Sequence, residues 1–429
     1  MLKKTALLLG CVLLLAVSWL AVLGMKSPQD KQIALVALAD AEIKRGTYVN
    51  AEPHLLEAAS MNTQYTQAIL DRLKIVYLGL EDTRAYVRVL ETQTSRNDCP
   101  PAVFDEFARF HLDSGRIADA LGVLRLGVEK TGDAALKALY EKERYAYSLG
   151  RATFDDATAF QYGMLQVQRG NLWGLVDSAG SFVIPCEYEQ ISALDAVSDG
   201  CVVAIKGGKA ITLNRNRQTI ANTEAAVTRI GNLSQDLIPL QISGGKWILA
   251  NSKFVSANVE YDAIGTVYQS AVAVKSGDRW GVFSLDGKTI VPFEYDEILM
   301  DDLGRCIDQG AIFARKGDKV TLYVGSKALS GTYEDARPFA YSGWAAVKIG
   351  GKWGFVDTTG TIKIQPQYDD AMSFSGNLAA VLVDDLWGYL AATGNIAIAP
   401  RFLQAKPFFG RFAPVLTEEG YRILTLVEQ

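Results

Sequence analysis

Histidine is nearly absent from this chain of 429 residues, and the C-terminal two-thirds contains none. The two that occur are His54 and His111. Residues 153–429 therefore cannot form a Ser-His-Asp or Cys-His catalytic set, nor a histidine-ligated metal site. His111 stands among apolar neighbours on a predicted helix, and we expect it to be a packing residue. No P-loop or dinucleotide-binding fingerprint occurs, so we expect no cofactor and no metal.

The chain also lacks a basic surplus. It has 43 Lys and Arg residues against 48 Asp and Glu residues, which gives a formal net charge of −5. Proteins that bind nucleic acid neutralise phosphates with basic side chains, so nucleic acid is not an expected partner.

Cysteine is scarce and unpatterned, with no CxxC pair. We expect free, buried thiols, because a free cysteine packs as a small apolar residue. An alternative is that Cys186 and Cys201 meet across neighbouring strands. The five cysteines are Cys11, Cys99, Cys186, Cys201 and Cys306.

The N-terminus contains the chain's one long uncharged run, from Ala6 to Gly24, preceded by Lys3 and Lys4. A helix of about 20 apolar residues spans a hydrocarbon core of about 30 Å. We therefore predict that residues 1–27 form a single-pass membrane anchor. The preceding lysines favour a cytoplasmic N-terminus and an extracytoplasmic C-terminal bulk. The alternative is a signal segment that is cleaved before Met25, giving a secreted protein.

Residues 28–152 have helical spacing of apolar residues, and glycines divide them into units of 33 to 36 residues. This spacing predicts three stacked helix pairs and a closing helix over about 132–149. Ala118, Ala120 and Leu121 fit the small-residue crossing of a helix pair. In unit length and glycine placement the segment resembles tetratricopeptide repeats. The dividing glycines are Gly46, Gly79, Gly115 and Gly150.

Residues 153–429 carry a recurring pattern that begins with Trp-Gly. A glycine follows seven residues after each Trp, a proline after twelve or thirteen, and an aromatic residue after fifteen. The second glycine supplies a left-handed turn position. The pairs are Trp173-Gly174, Trp280-Gly281, Trp353-Gly354 and Trp387-Gly388, and the aromatic residues are Tyr188, Tyr295, Tyr368 and Phe402.

Trp247 marks a fifth unit, and two units without Trp begin near Gly208 and Gly317. We predict about seven three-stranded units in an all-β domain, arranged as a β-propeller, because closure removes exposed strand edges. An open β-solenoid is the alternative. A partial eighth hairpin near Phe412 would complete the ring or cap it.

The unit around Trp353 is the most complete. Its Gly351 to Asp357 segment, with Gly360, Pro366 and Tyr368, resembles the WG repeat family of bacterial proteins. This resemblance implies a β-rich array that often follows a membrane segment or helical repeats, and it implies no catalytic residue. We expect Trp173, Trp247, Trp280, Trp353 and Trp387 to pack between units.

Paired carboxylates are the remaining candidates for chemistry. They could serve glycoside hydrolysis or bind calcium, but we expect them to be solvated loop charges at the edges of units. The pairs are Asp301-Asp302, Asp369-Asp370 and Asp384-Asp385.

These observations favour a non-catalytic, membrane-anchored binding or scaffolding protein of the bacterial cell envelope. Its expected partner is a protein or an envelope polymer such as a glycan. The surplus aromatic residues Phe339, Tyr341 and Trp344 are the candidate ligand surface, on the rim of loops that connect the units. The alternatives are a carboxylate-type hydrolase acting on envelope glycans and a structural spacer with a polar, patch-free β surface.

Overall fold

The computed structural model describes residues 27–61, 65–196, 199–341 and 343–427. The chain divides into two compact units, one ending at Arg144 and the other beginning at Tyr145. Within these residues no helix has both the length and the apolar character that a membrane span requires. The predicted anchor, residues 6–24, lies outside the described part of the chain.

The first unit is helical, as predicted, and three of its described helices begin at a side-chain cap. Ser27 accepts the N–H of Asp30 at the start of the first helix, and Asp82 and Asp133 cap two others. Gly46 ends the first helix in the left-handed conformation. The described helices are α1 (Pro28–Arg45), α2 (Tyr48–Ser60), α3 (Thr66–Gly79), α4 (Thr83–Ser95), α5 (Pro101–Asp113), α6 (Ile117–Thr131) and α7 (Ala134–Glu143).

Each helix of this unit packs against the next along the chain, around a core that includes Leu55, Leu90 and Phe104. His111 is buried in the unit with its ring 4.6 Å from that of Phe107, and burial lowers its pKa. The predicted closing helix over 132–149 is too long, because α7 ends at Glu143 and the chain becomes a β-strand at Tyr147. The kinship with tetratricopeptide repeats stays a prediction.

The second unit is an eight-bladed β-propeller in which each blade is an antiparallel sheet. Its strands are β1 (Tyr147–Leu149) of blade 8; β2 (Asp156–Ala157), β3 (Met164–Arg169), β4 (Leu172–Asp177) and β5 (Phe182–Tyr188) of blade 1; β6 (Gln190–Ile191), β7 (Val202–Lys206), β8 (Lys209–Leu213) and β9 (Thr219–Asn222) of blade 2; β10 (Val227–Ile230), β11 (Leu237–Ile242), β12 (Trp247–Asn251) and β13 (Ser256–Tyr261) of blade 3; β14 (Ala263–Ile264), β15 (Ala271–Ser276), β16 (Arg279–Ser284) and β17 (Thr289–Tyr295) of blade 4; β18 (Glu297–Ile298), β19 (Ile307–Asp308), β20 (Ala311–Lys316), β21 (Lys319–Val324) and β22 (Lys327–Ala328) of blade 5; β23 (Asp335–Ala336), β24 (Ala345–Ile349), β25 (Lys352–Val356) and β26 (Ile362–Tyr368) of blade 6; β27 (Asp370–Ala371), β28 (Leu378–Val383), β29 (Leu386–Ala391) and β30 (Ile396–Phe402) of blade 7; and β31 (Gln404–Ala405), β32 (Phe412–Thr417) and β33 (Gly420–Leu426) of blade 8.

The prediction of about seven three-stranded units is wrong in both numbers. Seven blades have four strands and blade 5 has five, because strands of two to four residues precede the longer ones, and most of these are too short to show alternation. The partial hairpin near Phe412 becomes the eighth blade because β1, from the start of the unit, pairs with β33 as its outer strand. The first and last strands therefore share one sheet.

The Trp-Gly spacing follows from the strand register. Trp353 lies opposite Tyr368, whereas Phe355 lies opposite Ile364, so β26 bulges around Pro366 between those pairs. Gly354 faces this bulge, and a Cβ on it would lie 2.6 Å from the Pro366 nitrogen and 2.7 Å from the Ile364 carbonyl oxygen. The bulge explains why Trp, Gly, Pro and Tyr recur together.

Candidate functional site

A central cavity of about 300 Å³ lies within the propeller. Its lining comes from the first strands of blades 5 and 6, from the segments that follow the first strands of blades 1, 5, 6, 7 and 8, and from Arg315 on β20. Blades 1 and 5 are opposite members of an eight-membered ring, so the cavity lies on the propeller axis. Its apolar lining includes Phe160, Leu299, Met300, Phe339, Met372 and Phe408, and its charged lining is Glu297, Asp301, Asp302, Arg305, Arg315, Asp335 and Arg337.

Blade 5 contributes an unusually long segment between its first strand and β20, residues 299–310, which we call the axis loop. The corresponding segment of blade 4 is residues 265–270. The Leu303 carbonyl accepts hydrogen bonds from Asn232 Nδ2 of blade 3 at 3.0 Å and from Thr266 Oγ1 of blade 4 at 2.5 Å. Asp302 pairs with Lys406 of blade 8 at 2.5 Å. The axis loop therefore contacts blades on several sides of the ring.

Arg305 is the buried cation of the axis loop. Its Nε donates to Asp301 at 2.7 Å and its Nη1 to the Tyr341 hydroxyl at 3.0 Å. Its guanidinium carbon lies 5.0 Å from the ring centre of Tyr268 and 5.3 Å from that of Tyr341. Burial lowers the Arg305 pKa, but Asp301 and Tyr341 outweigh burial and the net pKa is raised. Arg305 therefore stays charged and is held by both Asp301 and Tyr341.

A second set of ion pairs connects blades 5, 6 and 7. Arg315 pairs with Glu297 at 3.0 Å and with Asp335 at 2.5 Å. Arg337 pairs with Asp370 at 2.9 Å, donates to the Ala371 carbonyl at 2.8 Å, and lies 5.1 Å from the Trp353 ring centre. These contacts fix one side of the cavity wall across three blades.

The structure brings two of the three predicted ligand residues to the cavity. Phe339 is buried and stacks on Phe313 at 5.6 Å, while Tyr341 is exposed and contacts Phe409 edge-on at 6.1 Å. Trp344 is not among the cavity-lining residues; it packs against Phe374 at 5.2 Å. Binding by these residues stays a prediction.

The repeat tryptophans lie in the clusters that hold the blades together. Trp353 and Trp387 are buried, and Trp173, Trp247 and Trp280 are half-buried and pack against core residues. Each lies opposite an aromatic residue of the next strand: Tyr188, Tyr261, Tyr295, Tyr368 or Phe402. Such cross-strand aromatic pairs stabilise a sheet.

The predicted carboxylate pairs lie in different places. Asp384 and Asp385 occupy the hairpin turn of blade 7 with φ angles of 49° and 65°, as expected of turn residues. Asp301 and Asp302 lie in a loop, as predicted, but that loop lines the central cavity, which the sequence did not indicate. Within the part of the chain that the structure describes, no cluster of three metal-ligating side chains occurs.

Sequence reasoning missed a second use of acidic residues. Glu334 accepts the N–H groups of Gly350 and Gly351 at 2.7 and 2.9 Å, in the hairpin turn of its own blade. Four other blades repeat this contact with one turn glycine. The signal is an acid directly after an aromatic residue: Phe154-Asp155, Tyr188-Glu189, Tyr261-Asp262, Tyr295-Asp296 and Tyr333-Glu334.

Similar solved structures have low sequence identity to this chain. They include the computationally designed protein Ika8 (11% identity, TM-score 0.42, covering 65% of this chain and 97% of Ika8). BamB from Moraxella catarrhalis is 10% identical with a TM-score of 0.46, covering 65% of this chain and 100% of BamB. A streptogramin B lyase is 16% identical with a TM-score of 0.33, covering 56% and 94%. No curated protein matches the chain.

A sequence profile described as the WG containing repeat matches five segments of the propeller: residues 152–173, 173–209, 280–319, 325–353 and 353–387. Two pairs of consecutive matches meet at Trp173 and Trp353, each of which lies opposite a tyrosine across a β-bulge. The chain belongs to the WG-repeat family.

Proposed function

We propose that this protein is a non-catalytic binding or scaffolding protein of the bacterial cell envelope, which holds a protein or an envelope polymer at the central cavity of its propeller. The observation that carries the proposal is the cavity itself, which is preformed and combines apolar walls with a few fixed polar groups. This composition is typical of ligand sites.

The absence of catalysis is part of the proposal, and the ion pairs of the cavity support it. General acid–base catalysis needs a group whose pKa is close to the working pH and which is free to exchange a proton. Asp301 is held by Arg305, and Asp302 by Lys406. Both carboxylates are therefore engaged in ion pairs within the cavity wall, which suits a positioning role for both.

The membrane location rests on the uncharged run of residues 6–24 after Lys3 and Lys4. An anchor there would hold the propeller at the membrane surface on the extracytoplasmic side. Cell fractionation with and without residues 1–27 tests this part. Loss of membrane association in the shortened chain supports the anchor, and unchanged membrane association contradicts it.

One observation favours the second candidate, a carboxylate hydrolase of envelope glycans. Asp308, on the axis loop, has its pKa raised by burial, although hydrogen bonds from Gln309 and Gln269 oppose the shift. A raised pKa is a property of a glycosidase acid. Release of reducing sugar from purified peptidoglycan, abolished by Asp308→Asn, would establish the hydrolase and overturn the proposal.

The binding function is tested by photocrosslinking in cells that carry the protein. A photoreactive phenylalanine replaces Tyr341 at the cavity or, as control, Ile220 on outer strand β9, which has a similar exposed fraction (45% and 52%). We expect a discrete crosslinked product from position 341 that is absent from position 220. Equal products at both positions, or none at either, would contradict the proposal and favour the spacer hypothesis, which has no use for a cavity.

A further inference from the structure

In two sets of ion pairs at the central cavity, the acidic side chains are more exposed than their basic partners. Among its ion-paired side chains, the carboxylates of Glu297, Asp302 and Asp335 are 52%, 43% and 40% exposed. Their cationic partners Arg315 and Lys406 are only 24% and 17% exposed. Arg337 is the exception, at 35% exposed against 29% for its partner Asp370. At the pairs of Arg315 and Lys406, a ligand approaching through solvent meets more carboxylate surface than cationic surface.

Each arginine of the cavity wall already makes at least three polar contacts with neighbouring groups. Arg305 uses Nε and Nη2 on Asp301 and Nη1 on Tyr341. Arg315 donates to Glu297, Asp335 and the Glu334 carbonyl. Arg337 is taken up by Asp370 and the Ala371 carbonyl. An anionic ligand would have to compete with the acids that already hold these arginines, whereas a cation could add to carboxylates that still have free acceptor positions.

The aromatic groups favour the same sign of ligand. Tyr341 is 45% exposed and borders the cavity, and Arg305 already lies 5.3 Å from its ring centre. The face of an aromatic ring attracts cations, so the exposed part of the ring favours a second cation over an anion. Phe160, Phe339 and Phe408 provide apolar wall beside it. A lysine or arginine side chain has this dual chemistry, because its aliphatic stem packs on apolar surface while its head pairs with carboxylates.

The size of the cavity limits the ligand further. A volume of about 300 Å³ is at the lower end of small-molecule sites, which range from about 300 to 1,000 Å³. It accommodates one or two side chains rather than a folded surface. Tyr341, partly outside it, remains available to the residues that flank them.

We propose that the central cavity of the propeller binds a basic, partly apolar peptide segment, inserting a lysine or arginine side chain against Glu297, Asp302 and Asp335. This rests on the binding function proposed above and names its ligand chemistry. The cavity thereby selects cationic over anionic segments of a partner protein.

The test uses the full chain in detergent and fluorescence polarisation of three labelled eight-residue probes: alternating Lys and Leu, alternating Glu and Leu, and alternating Ser and Leu. The cavity variant is Glu297→Gln with Asp302→Asn. The control variant, Glu187→Gln with Asp286→Asn, removes the same charge from two exposed ion pairs that do not line the cavity. Thermal melting shows that both variants fold.

We expect the Lys-Leu probe to bind, the Glu-Leu probe not to bind, and the Ser-Leu probe to bind at least about fivefold more weakly than the Lys-Leu probe. The cavity variant should weaken Lys-Leu binding about five- to tenfold, because each of the two lost ion pairs involves a partly exposed carboxylate and contributes about two- to threefold. The control variant should bind within about twofold of the parent chain.

Equal weakening by the cavity and control variants would overturn the inference. It would show that the basic probe is attracted by the net negative charge of the protein and not by the cavity. Binding of the Glu-Leu probe, or of none of the three, would also overturn it. In either of those cases a crosslink specific to position 341 would leave the binding function standing with a ligand of different chemistry. If the probes do not bind as expected and no crosslink is specific to position 341, the binding function is contradicted as well.

Discussion

Leu149 lies opposite Leu424 in the antiparallel pair that joins the first strand of the propeller to the last. The pair places β1 as the outer strand of blade 8. A blade with only β31, β32 and β33 would expose the unpaired edge of β33, and exposed edges promote association between chains. Strand β1, from the start of the second unit, therefore completes the last blade of the propeller.

The first prediction concerns this closure. Ser148 lies opposite Thr425, between Tyr147 and Leu149. Proline at position 148 removes the backbone N–H and should lower the free energy of unfolding by about 1–3 kcal/mol. Urea unfolding followed by tryptophan fluorescence measures this, because every tryptophan from Trp173 onward lies in the propeller.

A matched control is Ser178→Pro. Ser178 is the second residue of the turn in which Gly180 N–H donates to the Asp177 carbonyl at 3.0 Å, a position that proline favours. Its effect should stay within about 0.5 kcal/mol. Equal destabilisation by both substitutions would mean that β1 contributes nothing specific.

The second prediction tests the bulge that faces each Trp-Gly pair. Gly354→Ala places a Cβ 2.6 Å from the Pro366 nitrogen, in contact with backbone that cannot turn aside. We expect a loss of about 1–3 kcal/mol in urea unfolding. A neutral effect would show that the bulge is not rigid.

A glycine-to-alanine substitution should have the opposite effect on stability within a helix. Gly122 lies inside α6, and a Cβ added there has no atom within 4 Å. Gly122→Ala should stabilise the helical unit by about 0.5–1 kcal/mol, measured by circular dichroism at 222 nm. Destabilisation would contradict the open space at that position.

The third prediction concerns the acid that follows the aromatic residue. Glu334→Gln retains one acceptor oxygen but removes the charge and the second oxygen that hold the N–H groups of Gly350 and Gly351. Because Glu334 is exposed, we expect a modest loss of about 0.5–1 kcal/mol in urea unfolding. Glu418→Gln, at an exposed position in another hairpin turn, should change stability less. An equal loss of stability in both variants would show that the effect comes from the change in net charge and not from the contact with the turn glycines.

The fourth prediction uses thiol reactivity. Burial raises the pKa of the Cys306 thiol to about 12 and that of Cys99 to about 11. Because a raised thiol pKa lowers the thiolate population at any pH below it, Cys306 should hold about a thousandfold less thiolate at pH 8 than a thiol with a pKa near 9. In a Cys11→Ser chain, an aromatic disulfide reagent at pH 8 should label neither until denaturant is added. Rapid labelling of native Cys306, located by mass spectrometry, would contradict its burial.

The sequence predicted the repeat landmarks well because each landmark serves a local backbone need. Gly360 was predicted to hold a left-handed turn position, and its φ is 80°. The fifteen-residue interval from Trp353 to Tyr368 returns the chain to the opposite position on the neighbouring strand. Requirements of this kind act within one unit and are visible in one stretch of residues.

Blade number and the cavity could not be predicted in the same way, because both depend on contacts between distant parts of the chain. The pairing of Tyr147 with Leu426 joins residues at opposite ends of the propeller, and nothing near Tyr147 resembles a repeat. Asp302 and Lys406 meet across the ring only because the axis loop of blade 5 is long. Cys186 and Cys201, proposed as neighbours, are both free.

An engineered disulfide tests the closed eight-bladed ring most directly. Ser148 and Thr425 are paired residues of β1 and β33, and cysteines at opposed positions of an antiparallel pair have Cα atoms about 5.5 Å apart, within disulfide range. We predict that Ser148→Cys with Thr425→Cys forms an intramolecular disulfide under mild oxidation, identified by peptide mapping, and raises the melting temperature. Two thiols that remain free in the folded, oxidised protein would contradict the closure of the ring.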